Sequence, residues 1–125
     1  MSQLKVLIIE DTQGIREALS DIVTFEGMQA ITANNGQEGV DKAKEHMPNL
    51  ILCDIMMPIK DGYQVFEELR HDNEFKNTPF IFLTAKSDID NVRQQLALGA
   101  DDDIIAKPFN SDSLIGLIKE KVQTS

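Results

Sequence analysis

Four short apolar runs, at residues 6–9, 50–53, 80–83 and 104–106, constrain this chain more than any other feature. They are rich in Val, Ile, Leu and Phe and show no polar alternation. Runs of that length and composition suit strands buried on both faces. A fifth segment, QAITA at residues 29–33, alternates and fits an edge strand. Helical spacing fills the intervals. Ile15, Ala18, Leu19, Ile22 and Phe25 share one face, and Gly27 can close that helix. Asn35 is a candidate N-cap, Glu38 completes a capping-box-like pair, and Val40, Ala43 and Met47 follow on one face. Val65, Phe66 and Leu69 mark a third helix, Ile89, Val92 and Leu96 a fourth, and Leu114, Leu117, Ile118 and Val122 a fifth. Strand and helix therefore alternate five times. That pattern predicts an α/β fold: one doubly wound parallel sheet, right-handed crossovers, and helices on both faces. Strand order 2-1-3-4-5 is consistent with it, although periodicity alone allows other orders.

Length and composition narrow the class of molecule. A chain of 125 residues fits one domain with a single sizeable core, residues 1–125. No run approaches the roughly 20 apolar residues of a membrane helix, and no signal peptide opens the chain, so a cytoplasmic protein is expected. The lone Cys53 excludes an internal disulfide framework. The net charge of −9 repels nucleic acid and anionic lipid, so no direct contact with DNA or membrane is expected.

In an open parallel sheet the reactive crevice lies beyond the carboxyl ends of the central strands. The apolar runs stop there on reactive residues: Glu10 and Asp11 after the first, Asp54 after the third strand, Thr84 after the fourth, Lys107 after the fifth. Neighbouring strands lie roughly 4.8 Å apart. If strands one and three are adjacent, three carboxylates meet, and each pair repels by roughly 3 kcal/mol at an effective dielectric near 20. A raised pKa or a cation must relieve that repulsion. Hard oxygen ligands with room for water suit Mg²⁺, or Mn²⁺ in its place. Lys107 adds a fixed positive charge and Thr84 a hydroxyl donor, which is what a phosphoryl group in transfer requires. Asp54, at the centre, can itself be the nucleophile and form an acyl phosphate.

IIED at residues 8–11, DIMMPIKDG at 54–62, LTA at 83–85 and KPF at 107–109 occur in order, each at a strand end. With these motifs the chain resembles the receiver domain of two-component response regulators, chemotaxis regulators among them, over essentially its whole length. The resemblance implies a flavodoxin-like (βα)₅ fold of order 2-1-3-4-5. It also implies that Asp54 is the phosphoacceptor. Asp11 and Asp54 would ligate Mg²⁺ through side chains, Met56 through its backbone carbonyl, and Glu10 through a coordinated water. Lys107 would pair with the phosphoryl group, Thr84 would swing in to hydrogen-bond it, and the Lys107–Pro108 bond would be cis. Pro58 and Gly62 would shape the loop after Asp54, and Met56 and Lys86 would tune access of water. The implied partners are a sensor histidine kinase or phosphotransfer protein and a downstream effector. The effector would read a surface around helix four, strand five and helix five.

One position departs from the family pattern. Relatives usually carry an aromatic residue three positions before the Lys, where this chain has Ile104, in a loop one residue longer than usual. Either Ile104 holds that place without a ring, or the register shifts and no residue fills the role. Competing readings fit less well. An aspartate-nucleophile phosphatase needs an acid two residues after the nucleophile, where Met56 stands. A flavin or nucleotide site needs phosphate donors after strand one, where EDTQG presents acids. A receiver-like domain without phosphorylation typically lacks one of the key residues, all of which are present. Cys53 reads as a buried structural thiol. His46 and His71 read as solvated, and Asp101, Asp102 and Asp103 as a solvated loop rather than a second metal site. The chain ends at KVQTS after the fifth helical pattern, which fits a stand-alone regulator or a piece of a longer one.

Overall fold

A computed structural model describes residues 3–99 and 102–123. Five parallel strands form one sheet in the order β2-β1-β3-β4-β5. The strands are β1 (Lys5–Ile9), β2 (Gln29–Ala33), β3 (Leu50–Asp54), β4 (Phe80–Ala85) and β5 (Asp103–Lys107). Between and after them run α1 (Gln13–Phe25), α2 (Gly36–His46), α3 (Gly62–Arg70), α4 (Ile89–Gln95) and α5 (Ser111–Gln123), with a 3₁₀ turn at Lys86–Asp88 leading into α4.

The continuous apolar runs are explained by a core on each side of the sheet. Leu7, Ile9, Ile51, Cys53, Phe80 and Phe82 pack with α2, α3 and α4. Val6, Ile8, Leu50, Leu52, Ile81 and Leu83 pack with α1 and α5. Successive side chains on a strand point to opposite faces, so β1, β3 and β4 are apolar at consecutive positions, with polar residues only towards their ends. β2 alternates because it is an edge. β5 is the other edge: Ile104 is buried but Ile105 and Ala106 only half so, which corrects the expectation of burial on both faces there.

Three helix-level expectations also change. Phe25, at the last turn of α1, is 88% exposed rather than on the buried face. Met47 is not part of the α2 stripe; it caps the helix in a left-handed conformation and is exposed. Asn35 does cap α2, accepting the Glu38 N–H at 2.8 Å, but the Glu38 carboxylate takes the N–H of Asn34 rather than that of Asn35. A full capping box forms instead at α3, between Asp61 and Gln64.

Asp102 was expected in a solvated loop, yet its side chain is buried. Its side chain is 3% exposed and accepts the Phe80 N–H and the Gly99 N–H, each at 2.9 Å. It also pairs with Arg70 at 2.8 Å. Arg70 in turn lies over the rings of Phe66 and Phe80. This clasp ties the end of α3 to the start of β4 and to the turn before β5. Asp103 instead pairs at long range with Lys121, and Asp101 lies outside the described residues. No helix among the described residues is long and apolar enough to cross a membrane. Asp102→Ala would take the anion from the half-buried Arg70 and leave the Phe80 N–H without its acceptor, so it should cost about 2 kcal/mol in urea denaturation. Asp103→Ala should cost less than about 1 kcal/mol in the same measurement.

Candidate functional site

The site forms because β1 and β3 are neighbours and end at the same level. Ile9 pairs with Cys53, so Glu10 and Asp54 leave the sheet side by side. Asp54 pairs with Leu83, which puts Thr84 one step beyond it on β4, and Ala85 faces Lys107 on β5. The register alone therefore gathers residues from four separate segments at one crevice.

Glu10, Asp11 and Asp54 each offer an oxygen within 4.8 Å of the other two. Glu10 is fully buried, Asp54 nearly so, and Asp11 is exposed. The Lys107 ammonium lies between two of them, 2.8 Å from Glu10 Oε1 and 3.0 Å from Asp54 Oδ1. The backbone holds the acids in place. The Thr12 N–H donates to Glu10 Oε2 at 3.0 Å, and the Ile55 N–H donates to Asp54 Oδ1 at 2.9 Å. Arg16 of α1 donates to the Glu10 carbonyl at 2.9 Å, a contact with no signal in the sequence. The 2.8 Å ion pair with Lys107 is the one polar contact of Glu10 Oε1 among the described residues, so this buried oxygen retains unused acceptor capacity.

Burial pushes the Asp54 carboxyl up to about 6, and Glu10 adds to the rise against the opposing pull of Lys107 and the Ile55 N–H. Burial alone would lower the Lys107 ammonium, but the two carboxylates prevail and raise it. The thiol of Cys53 is driven far up, first by burial and then by Asp54 and Glu10, so it remains a protonated packing group.

These donors fit a hard divalent cation. Three carboxylates converge, one buried oxygen is under-coordinated, and the exposed Asp11 leaves a side open for water. Gly62 is required by the same geometry: a Cβ there would lie 2.5 Å from the Asp54 carbonyl oxygen. The Lys107–Pro108 peptide is cis. Met56 is exposed on the loop after β3 and Lys86 is exposed in the 3₁₀ turn. Ile104 faces the α3–α4 side of the sheet, buried with Val92 and Leu96, and pairs with Phe82. It thus occupies an inward position on β5 without a ring. His71 is exposed, whereas His46 is only half-buried, with its backbone carbonyl taking the Lys5 ammonium.

With Asp54 raised from 3.8 to about 6, the folded state holds a proton that the unfolded state releases. Its contribution to stability is present below the unfolded value and lost as pH rises through about 6. In a chelator at pH 7, Asp54→Asn should therefore be more stable than the parent by about 2–3 kcal/mol. The gap should nearly close at pH 4, as read from urea midpoints at the two pH values.

Comparison with known proteins agrees with this geometry. The response regulator receiver domain family matches residues 6–119. Protein PilG of Pseudomonas aeruginosa is 35% identical over 95% of this chain and 87% of its own length. The chain spans about half the length of the ycf27 transcriptional regulators it also matches, 48% in the one from Porphyridium aerugineum. Chemotaxis response regulator CheY4 of Vibrio cholerae superposes with a TM-score of 0.87 at 28% identity, covering 96% of this chain and 99% of that one. The receiver domain of the sensor histidine kinase PA1611 from Pseudomonas aeruginosa shares the fold, with a TM-score of 0.86 at 24% identity over 98% and 99% of the two chains. That structure has a magnesium ion coordinated in its active site cleft. Five strands in the order 2-1-3-4-5, an acidic crevice at their carboxyl ends and a family match across nearly all of the sequence lead to one assignment: this chain belongs to the response regulator receiver domain family of two-component signalling.

Proposed function

We propose that the whole chain, residues 1–125, works as one Mg²⁺-dependent receiver whose phosphoacceptor is Asp54. The observation that carries this reading is the single Lys107 ammonium held between Glu10 and Asp54, beside the exposed Asp11. Asp11 and Asp54 would hold the ion through their side chains, Met56 through its carbonyl, and Glu10 through water. The all-oxygen set would accept Mn²⁺ as well. Bound there, the ion supplies positive charge to the phosphoryl oxygens. Asp54 acts as the nucleophile. Its carboxylate oxygen forms the new P–O bond as the P–N bond to a donor imidazole breaks. The electron pair stays on the ring nitrogen, and with a proton on the other nitrogen the imidazole leaves neutral. Lys107, already 3.0 Å from Asp54, has only to shift its ammonium onto the transferred group. Thr84, buried beside it at the end of β4, donates its hydroxyl to the same oxygens.

The donor is a sensor histidine kinase or phosphotransfer protein. The modified carboxylate biases a two-state surface around α4, β5 and α5 that a downstream effector reads. Ile104 already sits inward, so Thr84 carries the switch towards α4 without a rotating ring. The protein acts in the cytoplasm, and at a net charge of −9 it does not contact nucleic acid directly. Its self-directed phosphoryl transfer and hydrolysis serve signalling, with no separate substrate turned over.

Incubation with acetyl phosphate and Mg²⁺ should add one phosphoryl group, detected by intact-protein mass spectrometry. Asp54→Ala or chelation should abolish the gain, and Lys107→Ala should slow it by roughly 100-fold. Labelling that survives in Asp54→Ala would show that the acceptor lies elsewhere.

A further inference from the structure

The turn from β1 into α1 carries two of the three clustered acids, and its own residues do little to fix it. Thr12 is the N-cap of α1, yet its side chain makes no capping hydrogen bond, and no acidic residue stands in the first helical turn. Gly14 follows in that turn. A missing cap and a glycine both weaken a helix start. The Asp11 side chain is exposed and makes no hydrogen bond among the described residues, so only the backbone directs it. Arg16 ties this turn at both ends. Its backbone N–H donates to the Thr12 carbonyl at 2.9 Å, and its guanidinium Nη1 donates to the Glu10 carbonyl at 2.9 Å. That carbonyl belongs to the planar peptide joining Glu10 to Asp11, so holding its oxygen holds the plane on which Asp11 is mounted. The Glu10 N–H is already held by the Ala33 carbonyl at 3.0 Å. With Arg16 in place, the backbone of Glu10 is anchored on both sides.

We infer that Arg16 is a positioning residue for the divalent ion, acting through the Glu10–Asp11 peptide to hold both carboxylates ready for it. The inference rests on the ion site proposed above and deepens it. Charge and position act in opposite directions here. A guanidinium near a cation site repels the ion, so by Coulomb's law alone its removal would tighten binding. A carboxylate free to swing with its backbone must instead be ordered each time the ion binds, so loss of the anchor would weaken binding. The two effects differ in sign. The guanidinium donates to a backbone carbonyl and not to a carboxylate, and the crevice opens to water at the exposed Asp11, which screens the repulsion. Position therefore outweighs charge.

The test titrates Mg²⁺ into the parent, Arg16→Met and Arg16→Lys, with backbone amides followed by NMR. Methionine keeps an apolar stem and loses both charge and donor, whereas lysine keeps a charged donor on a similar stem. Arg16→Met should bind Mg²⁺ roughly tenfold more weakly than the parent, as removal of a group that orients a metal ligand does. Its Glu10 carbonyl-carbon signal should shift in the ion-free protein as the hydrogen bond is lost. In chelator it should melt within about 5 °C of the parent, the effect of one partly buried hydrogen bond. Arg16→Lys should restore the affinity to within about twofold of the parent. Tighter binding by Arg16→Met, or a loss of less than about threefold, overturns the inference. So does failure of Arg16→Lys to restore affinity. A larger fall in melting temperature for Arg16→Met also overturns it, because Arg16 would then serve the fold and not the ion. A parent that binds no Mg²⁺, or binds it away from the ends of β1 and β3, would instead overturn the ion site itself.

Discussion

The structure depends on how a protein tolerates buried carboxylates that repel one another. Glu10 is fully buried and Asp54 nearly so, and both leave adjacent strands at the same level. In water such a pair would be harmless. In the interior it must be offset by an opposite charge, a proton or a metal ion. One lysine partly offsets it here, with contacts of 2.8 and 3.0 Å to the two acids. The remaining imbalance appears as the upward shift of Asp54 to about 6 and the buried Glu10 oxygen that has Lys107 alone for a partner among the described residues. Both are features of a site poised to gain positive charge. The crevice is thus less stable than an apolar one would be, and its acidic cluster fits a metal ion that would relieve the repulsion.

Much of the remaining structure holds that arrangement in place. Parallel register aligns the ends of β1, β3, β4 and β5, and β1, β3 and β4 are anchored by a core on both faces of the sheet. Gly62 lets the loop after β3 fold back against Asp54, and Gly36 lets α2 approach the same loop at Lys60. The clasp of Asp102 and Arg70 secures the opposite end of β4, away from the chemistry. These contacts fix the backbone so that short-range electrostatics act on defined atoms.

The fold was legible because its signals are local and repeated. Uninterrupted apolar runs reveal strands covered on both sides, and each of them ends where a reactive residue begins. The site was legible for the same reason: Glu10, Asp11, Asp54, Thr84 and Lys107 mark strand ends, and the strand order then brings the acids together. What escaped the sequence depends on packing between distant segments. Nothing distinguishes Asp102 from its acidic neighbours until β4 presents a free N–H to it. Phe25 reads as core from its spacing, yet α1 turns that last position outward. Glu38 caps the residue before the one expected because the chain bends at Asn34. The left-handed backbone of Ile59, at φ 73°, is invisible in the sequence. Nor does the sequence show which face Ile104 takes; pairing with Phe82 puts this residue on the face that meets α4.

The most direct test of the central idea is a Mg²⁺ titration followed by amide NMR, comparing the parent with Asp11→Asn. The account predicts a single site, with shifts concentrated at Glu10, Asp11, Asp54, Met56 and Lys107. Affinity should be at least tenfold weaker in Asp11→Asn, a loss of about 1.4 kcal/mol. Equal affinity in the two proteins, or shifts centred away from the ends of β1 and β3, would contradict it.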